Sequence, residues 1–236
     1  MISKWLHIEE LGGDPWILPI WTAANSAREA GAVPDLPSHL SELGIHVSTR
    51  LNILPRIIRR LNTESAALYE AVKNYEQKNV YTEQAEGVSL RVDNDLKYQL
   101  IADIDAFLFE TDACWRQMRQ LFRSVRHYAG HPVSDANITS DLRSILKERN
   151  VTQDWFPMLD RHRNFFAHQG TPYLAIDLKE DETFELLIMK SNLRKFEAPT
   201  EFFLYVELRE IANGFASVKM ALRDYLVELL TQIATK

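Results

Sequence analysis

The amino-acid sequence predicts an all-α fold, an antiparallel bundle of helices that carries one inserted β-hairpin near residues 173–190. Apolar side chains recur at alternating spacings of three and four through residues 95–129 and again through residues 201–233, as in helices that bury one face. Residues 173–190 alternate apolar and more polar positions instead, which is the period of a half-buried strand. The chain has 236 residues, 46% of them hydrophobic, which is enough for one sizeable core. We therefore expect a single domain over residues 1–236.

Residues 1–50 are predicted to form an irregular N-terminal extension of loops and short helices that packs on a helical core of residues 51–236. The segment holds four prolines, in GGDPWILPIW and GAVPDLPSHL, and proline interrupts helix interiors. It also holds Trp5, Trp16 and Trp21, and this apolar content predicts packing on the core rather than disorder.

The helices of the core follow from apolar periodicity and from stop signals. A first helix is predicted over residues 53–78, with a candidate break at NTES, residues 62–65. The long helix of residues 95–129 has no internal glycine or proline, and GHP at residues 130–132 ends it. A short capped helix is expected at residues 137–150.

A hairpin and a further short helix are predicted between these helices and the last one. Alternating residues predict strands at 173–178 and 184–188, with KEDE at residues 179–182 as the turn. Before them, DWFP at residues 154–157 is expected to form a hydrophobic elbow. DRHRNFFAHQG at residues 160–170 then forms a short helix that its glycine caps.

Composition excludes several classes of protein. No run of 18 or more apolar residues is present, so no membrane span is expected. The N-terminal MISKWLHIEELGGDPW lacks the apolar region of a secretory leader, so we expect a cytoplasmic protein. The lone Cys114 rules out an internal disulfide, and no Cys/His spacing suggests zinc. The net charge of −6 argues against non-specific coating of nucleic acid. GxxxxGK[ST], GxGxxG and HExxH are all missing, so no metal or cofactor is predicted.

The segment DRHRNFFAHQG gathers basic and polar side chains around two phenylalanines. On a helix Arg161, Asn164 and His168 share one stripe with Phe165, whereas Arg163 lies roughly 140° from His168. Arg163 and His168 would therefore not touch on a straight helix. They can share a site if the helix end bends, or if two chains contribute residues across a two-fold axis.

Histidine, arginine and asparagine together suit a metal-independent cleavage of RNA. Imidazole exchanges a proton near neutral pH, so His168 can relay the proton of the attacking 2′-hydroxyl or of the leaving 5′-oxygen. Arginine stays charged and binds phosphate through two parallel hydrogen bonds, so Arg163 can stabilise charge on the phosphoryl oxygens. Asn164 can orient either partner or hold a phosphate oxygen. The 2′-hydroxyl would confine the reaction to RNA.

The stretch RNFFAH, residues 163–168, resembles the R-N-x-x-x-H motif of the HEPN superfamily. Those proteins are α-helical domains found in toxin–antitoxin modules, defence systems and RNA-processing nucleases. The resemblance implies a bundle of four or five helices, usually dimeric, with the motif at the start of a late helix. It also implies a metal-independent endoribonuclease with a composite site at the dimer interface. Carried over, Arg163, Asn164 and His168 take the arginine, polar and histidine places of the motif. The hairpin and residues 1–50 depart from a minimal family member.

Other interpretations of the motif stay open at this point. In one, Phe165 and Phe166 are core residues, the charged residues are caps and solvated neighbours, and the helix dipole alone favours His168 near a helix C-terminus. In another, the chain is HEPN-like but non-catalytic, a dimerisation or nucleotide-binding module. In a third, it is a protein-interaction partner in a toxin–antitoxin type system, with an antitoxin or another protein bound to it.

The long helix carries a second candidate surface, which we call the arginine stripe. It lies one position along from the apolar face and follows two acids, Asp105 and Asp112. Its members are Arg116, Arg119, Arg123 and Arg126. Aligned arginines repel one another unless acids or phosphates lie opposite. The stripe therefore predicts either a groove for an RNA backbone or an acidic partner, or pairing within the chain. The acids considered for such pairing are Glu207, Glu210 and Asp224.

Two further expectations concern contacts. Arg161 is predicted to be a secondary RNA or phosphate contact beside the motif. No acid is assigned to the site, because no pattern places Asp105, Glu110 or Asp112 near Arg163. The two long apolar seams can pair with each other or with a second copy, so a homodimer is expected.

Overall fold

The structure is a computed structural model that describes residues 15–75, 91–178, 184–191 and 201–235. These segments are mainly helical, with a small antiparallel sheet. A 3-10 turn at Pro15–Ile17 leads into the first helix. The described helices are α1 (Leu18–Glu29), α2 (Ser38–Lys73), α3 (Asn94–Tyr128), α4 (Ile138–Glu148), α5 (Trp155–His168) and α6 (Tyr205–Ala234).

The irregular extension predicted for residues 1–50 is wrong over residues 15–50, which are largely helical. This stretch holds α1 and the first turns of α2, so the first core helix begins at Ser38 rather than at residue 53. Prolines stand near both helix starts, where a missing N–H costs nothing. Pro55 lies inside α2 and does not end it, and the helix also runs through NTES to Lys73. Residues 1–14 and the predicted helix end at residue 78 lie outside the described residues.

The described part of this segment packs on the core. Trp16, Ile20 and Leu40 are almost completely buried. The indole Nε1 of Trp16 donates a hydrogen bond of 2.8 Å to the Lys219 carbonyl oxygen on α6. Helix α1 packs along α6, and α2 packs along α3, so the N-terminal helices close two sides of the core.

The long central helix is confirmed almost to the residue, because Asn94–Tyr128 matches the predicted residues 95–129. Gly130 ends it with a positive φ of 77°. The Gly130 N–H donates to the His127 carbonyl and the His131 N–H to the Arg126 carbonyl, which is the Schellman pattern of helix ends. Near the start of α3, the two carboxylate oxygens of Asp103 accept hydrogen bonds from the guanidinium group of Arg60 on α2, at 2.6 and 2.7 Å.

The predicted hairpin is confirmed, and the sheet extends beyond it. Strand β1 (Tyr173–Leu178) pairs antiparallel with β2 (Phe184–Met189), while the KEDE turn lies outside the described residues. A third strand, β3 (Phe202–Leu204), pairs with β2 where the sequence predicts the start of the last helix. The all-α prediction is corrected accordingly to a mainly α fold with a three-stranded sheet. Helix α6 begins at Tyr205 because the Glu207 carboxylate accepts the Leu204 N–H at 2.9 Å.

Candidate functional site

The first half of α5 is an aromatic anchor. Trp155 stacks on Phe156 with ring centroids 3.9 Å apart and meets Trp115 of α3 and Phe215 of α6 edge to face. The predicted DWFP elbow is thus wrong, because these residues include the first turn of α5, where a proline is tolerated. The motif consequently lies in the second half of this helix, not at its start as the resemblance implies.

Arg163 and Asn164 lie together on the side of α5 that faces α3. Arg163 Nη1 donates to Asn164 Oδ1 at 3.2 Å. Arg163 Nε is 3.1 Å from Asp112 Oδ2, an ion-pair distance, although its N–H is not directed at that oxygen. The same carboxylate is 3.0 Å from Arg116 Nε. Two guanidinium groups thus share one carboxylate, and one positive charge of this cluster is left uncompensated.

Asp112 is a site residue that the sequence did not assign. Its partner on α5 is 51 positions away in the sequence, so only the packing of α3 against α5 brings the two together. The one available signal was that Asp112 and Arg116 occupy adjacent turns of α3, a spacing that pairs opposite charges on a helix.

His168 is the last residue of α5, and its side chain is exposed. Within the described part of the chain, neither a hydrogen bond nor an ion pair holds its imidazole. Helical geometry continues to His168, and among the described residues no such bond joins this side chain to Arg163. Of the two ways in which these residues could share a site, a helix end that unwinds before His168 is therefore not observed.

Arg161 turns to the opposite side of α5, toward α6. Its Nη2 donates to Glu207 Oε2 at 3.2 Å, and its side chain remains 61% exposed. The same oxygen lies 2.9 Å from Nε2 of His162, which is fully buried and stacks on Phe203 at 3.8 Å between ring centroids. His162, which the sequence treats only as a neighbour of the motif, is thus a buried link between α5, β3 and α6.

Burial lowers the pKa of His162 to about 4, against the opposing effect of the Glu207 carboxylate. The neutral ring then donates Nε2–H to Glu207, and Nδ1 is an acceptor without a partner in the described structure. Burial by itself would raise the pKa of Glu207, but hydrogen bonds from the Leu204 amide and from His162, with nearby positive charge, lower it overall.

Acidification is expected to destabilise the fold through His162. An unfolded chain binds a proton at this residue near pH 6.5, whereas the folded chain resists protonation down to about pH 4. The stability that neutral His162 contributes is therefore fully present above pH 6.5, and it is lost as the pH falls from 6.5 to about 4. At about 1.4 kcal/mol per pH unit, the loss of unfolding free energy amounts to roughly 3 kcal/mol. Urea unfolding of the wild type and of His162→Gln between pH 4 and 7 measures it.

The difference between the two proteins isolates His162, because all other titrating groups are common to both. This subtraction matters, since burial and the nearby Asp103 raise the pKa of Glu64 to about 7 and act in the opposite direction. The glutamine side chain of the His162→Gln variant can still donate to Glu207 but cannot titrate, so the profile of this variant should be flatter on the acid side. Parallel profiles for the two proteins would show that His162 does not control acid stability.

The arginine stripe of α3 is engaged mainly by α4 and by the segment before it. The pairs are Arg116–Asp112, Arg119–Thr139, Arg123–Asp135 and Arg126–Asp141. Pairing within the chain is thus observed, but with other residues than Glu207, Glu210 and Asp224. The pairing is uneven, because the Arg126 side chain is 18% exposed and that of Arg116 is 62% exposed. Arg116, nearest the motif helix, is the member most open to a ligand.

Comparison with protein-family models, with curated proteins and with solved structures finds no significant match to this chain. The described segments hold no group of three His, Cys, Asp or Glu side chains that could bind a metal ion. None of the described helices combines the length and the apolar character needed to cross a membrane.

Proposed function

We propose that this protein is a HEPN-like, metal-independent endoribonuclease of the toxin or defence type, and that its helices form a HEPN-like antiparallel bundle. One observation carries the proposal: α5 holds Arg163 and Asn164 in a positively charged cluster on α3 and ends with His168 exposed and unengaged in the described structure. An imidazole can transfer a proton and a fixed cation can stabilise phosphoryl charge, and both contributions favour cleavage of a phosphodiester without a metal.

In the proposed reaction the 2′-hydroxyl oxygen of RNA attacks the adjacent phosphorus and the 5′-oxygen leaves. His168 accepts the proton of the attacking hydroxyl or donates one to the leaving oxygen, and solvent water exchanges the other proton. The Arg163 guanidinium stabilises the charge that develops on the phosphoryl oxygens. Asn164 Oδ1 accepts a hydrogen bond from Arg163 Nη1 and so orients the guanidinium group of Arg163. The products are a 2′,3′-cyclic phosphate and a 5′-hydroxyl end.

Asp112 acts in this scheme as a positioning residue. It holds Arg163 and Arg116 from one carboxylate, so the two cations stay close in spite of their repulsion. Arg116 and Arg161 are proposed to contact backbone phosphates on either side of α5, because both side chains are more than half exposed. Arg119, Arg123 and Arg126 would extend this phosphate contact along α3.

Because α5 is helical through His168, and five positions along a helix turn Arg163 roughly 140° from His168, we propose that the complete site is assembled from two chains. Arg163 of one protomer and His168 of its partner would then act on one phosphate across a two-fold axis. The functional unit in this proposal is a homodimer, and its location is the cytoplasm.

A second candidate function rests on the ion pairs themselves. Asp112 already compensates Arg163, and acids of the same chain compensate Arg123 and Arg126, which suits a structural role for these arginines. On this alternative the protein is a non-catalytic HEPN-like module for dimerisation or nucleotide binding, or the partner of an antitoxin or another protein.

Incubation of the purified protein with RNA in excess EDTA distinguishes the two functions. The nuclease proposal expects cleavage that the chelator does not reduce, with 2′,3′-cyclic phosphate ends detected by mass spectrometry. Light scattering on the same sample should report a mass twice that of the 27.3 kDa chain. Intact RNA after incubation with a folded dimer would favour the non-catalytic module.

A further inference from the structure

A polar cleft of about 390 Å³ lies apart from the motif helix, at the other end of the arginine stripe. It is formed by the start of α2, the end of α3 and the segment between α3 and α4. Its lining consists of His39, Arg123, Ser124, His127, Val133, Ser134 and Asp135. Arg123 follows Asp112 by 11 positions on α3, which at about 1.5 Å per residue places the cleft roughly 16 Å from the motif cluster.

The lining is rich in hydrogen-bond donors that suit a phosphate group. Arg123 supplies a planar fork that matches phosphate oxygens, and Ser124 and Ser134 supply hydroxyl groups. His39 and His127 supply two imidazoles from different helices, each able to donate to an anion. A volume of about 390 Å³ is within the range of small-molecule sites, so a nucleotide-sized group fits.

The start of α2 strengthens this preference for an anion, whereas the C-terminal end of α3 opposes it. His39 is in the first turn of α2, whose N-cap, Pro37, makes no side-chain hydrogen bond to the helix amides. The positive end of the α2 dipole therefore faces the region of the cleft without a competing side-chain cap. At the end of α3, the carbonyl groups of Arg126 and His127 already accept from the residues that follow, so these carbonyls do not repel an anion as free acceptors would.

Asp135 is the one carboxylate among the described lining residues, and it is paired with Arg123. Its side chain is 82% exposed and lies on a connecting segment rather than in a helix. An exposed ion pair of this kind contributes little free energy, so an incoming phosphate can replace the carboxylate on the guanidinium. Asp135 thus occupies the anion position of an otherwise donor-lined cleft.

We propose that this cleft binds the phosphate group of a nucleotide or of an RNA strand, and that Asp135 is the internal competitor which the phosphate displaces from Arg123. The site does not rest on the proposed nuclease activity, because none of its lining residues belongs to the motif or lies on α5.

Titration calorimetry with inorganic pyrophosphate tests the proposal on the full-length protein. Arg123→Gln should weaken binding about tenfold or more, because it removes a charge-assisted contact. Asp135→Asn should tighten binding about two- to fivefold, because it removes the competitor at an exposed site. If the ion pair between Arg123 and Asp135 were purely structural, the loss of Asp135 would not strengthen binding. Affinity changes of opposite sign in the two variants therefore identify the competition.

Arg149 and Glu228 provide matched controls, because they form a similar ion pair outside the cleft. Arg149→Gln and Glu228→Gln change the net charge by the same amounts and should leave pyrophosphate binding unchanged. Undetectable binding by the wild type, or control variants that shift affinity as much as the cleft variants, would overturn the proposal. His168→Ala should bind pyrophosphate normally whether or not it cleaves RNA.

Two further titrants identify the source of the phosphate. Adenosine monophosphate and a short single-stranded RNA without a terminal phosphate are titrated into the wild type and Arg123→Gln. Loss of affinity for the RNA alone assigns the cleft to backbone phosphates, and loss of affinity for the mononucleotide alone assigns it to a free nucleotide. If Arg123→Gln alters neither affinity, the cleft is not a phosphate site.

Discussion

Replacing His168 with alanine is expected to lower the rate of RNA cleavage by about two to four orders of magnitude, the contribution of a positioned general acid or base. The stability of the fold should change by less than about 0.5 kcal/mol, because His168 is exposed and makes no hydrogen bond within the described residues. The two readouts are a single-turnover cleavage assay with excess protein and urea unfolding of the same samples.

Matched variants separate catalysis from general loss of charge or fold. His46 is also an exposed histidine on a helix, so His46→Ala should cleave RNA at the wild-type rate. Arg163→Lys keeps the positive charge but loses the planar guanidinium group, which can donate two parallel hydrogen bonds to a phosphate. This variant should lose activity while remaining folded. Arg149→Lys is its control, because the Arg149 and Arg163 side chains are 25% and 24% exposed and each faces a carboxylate. Equal cleavage by the wild type, His168→Ala and Arg163→Lys would refute the catalytic assignment.

Replacing Gly214 with alanine is expected to destabilise the protein by about 1–3 kcal/mol or more, the usual cost of overpacking a core. Helix propensity alone predicts the opposite sign, because alanine is favoured over glycine inside a helix by about 1 kcal/mol. Packing should prevail, because a Cβ at Gly214 would lie 2.2 Å from Cδ1 and 2.8 Å from Cβ of Trp155. Trp155 is 2% exposed and anchors α5, so it cannot move aside without shifting that helix.

Gly44 supplies the comparison for this prediction. A Cβ at Gly44 would also be too close to a tryptophan, 2.5 Å from Cζ2 of Trp21. That atom is at the far edge of a half-buried ring, which can turn away, so Gly44→Ala should cost less than Gly214→Ala. Chemical unfolding of both variants, and of Gly214→Ala combined with Trp155→Leu, measures the contact. Strictly additive losses in the double variant would mean that Trp155 is not the cause.

Local patterns were sufficient to predict most helices of this fold. Helix α3 was placed to within one residue at each end because its apolar spacing is unbroken and Gly130 can adopt the positive φ that ends it. The start of α2 was missed because prolines were taken as interruptions, whereas Pro37 precedes the helix and Pro55 is tolerated within it. Strand β3 was missed because three residues carry no period of their own and are extended only by pairing with β2.

The residue types of the candidate site can be taken from the sequence, but their pairings cannot. The position of Arg163 relative to His168 follows from helix geometry, whereas its contact with Asp112 depends on how α3 packs on α5. The burial of His162 was within reach of the sequence. The buried residues of α5 are Trp155, Leu159, His162 and Phe165, spaced by four, three and three, so His162 occupies an apolar position of the helix.

The division of α5 into an anchored half and an exposed end has a consequence for how such a protein can change over time. Selection for a stable core acts on Trp155 and Leu159, which are buried, while His168 at the exposed end is free of that constraint. In the proposed nuclease, mutations in the last turn would therefore alter or abolish activity without lowering the amount of folded protein. A single substitution there would separate an active form of the proposed nuclease from an inactive one on an unchanged scaffold.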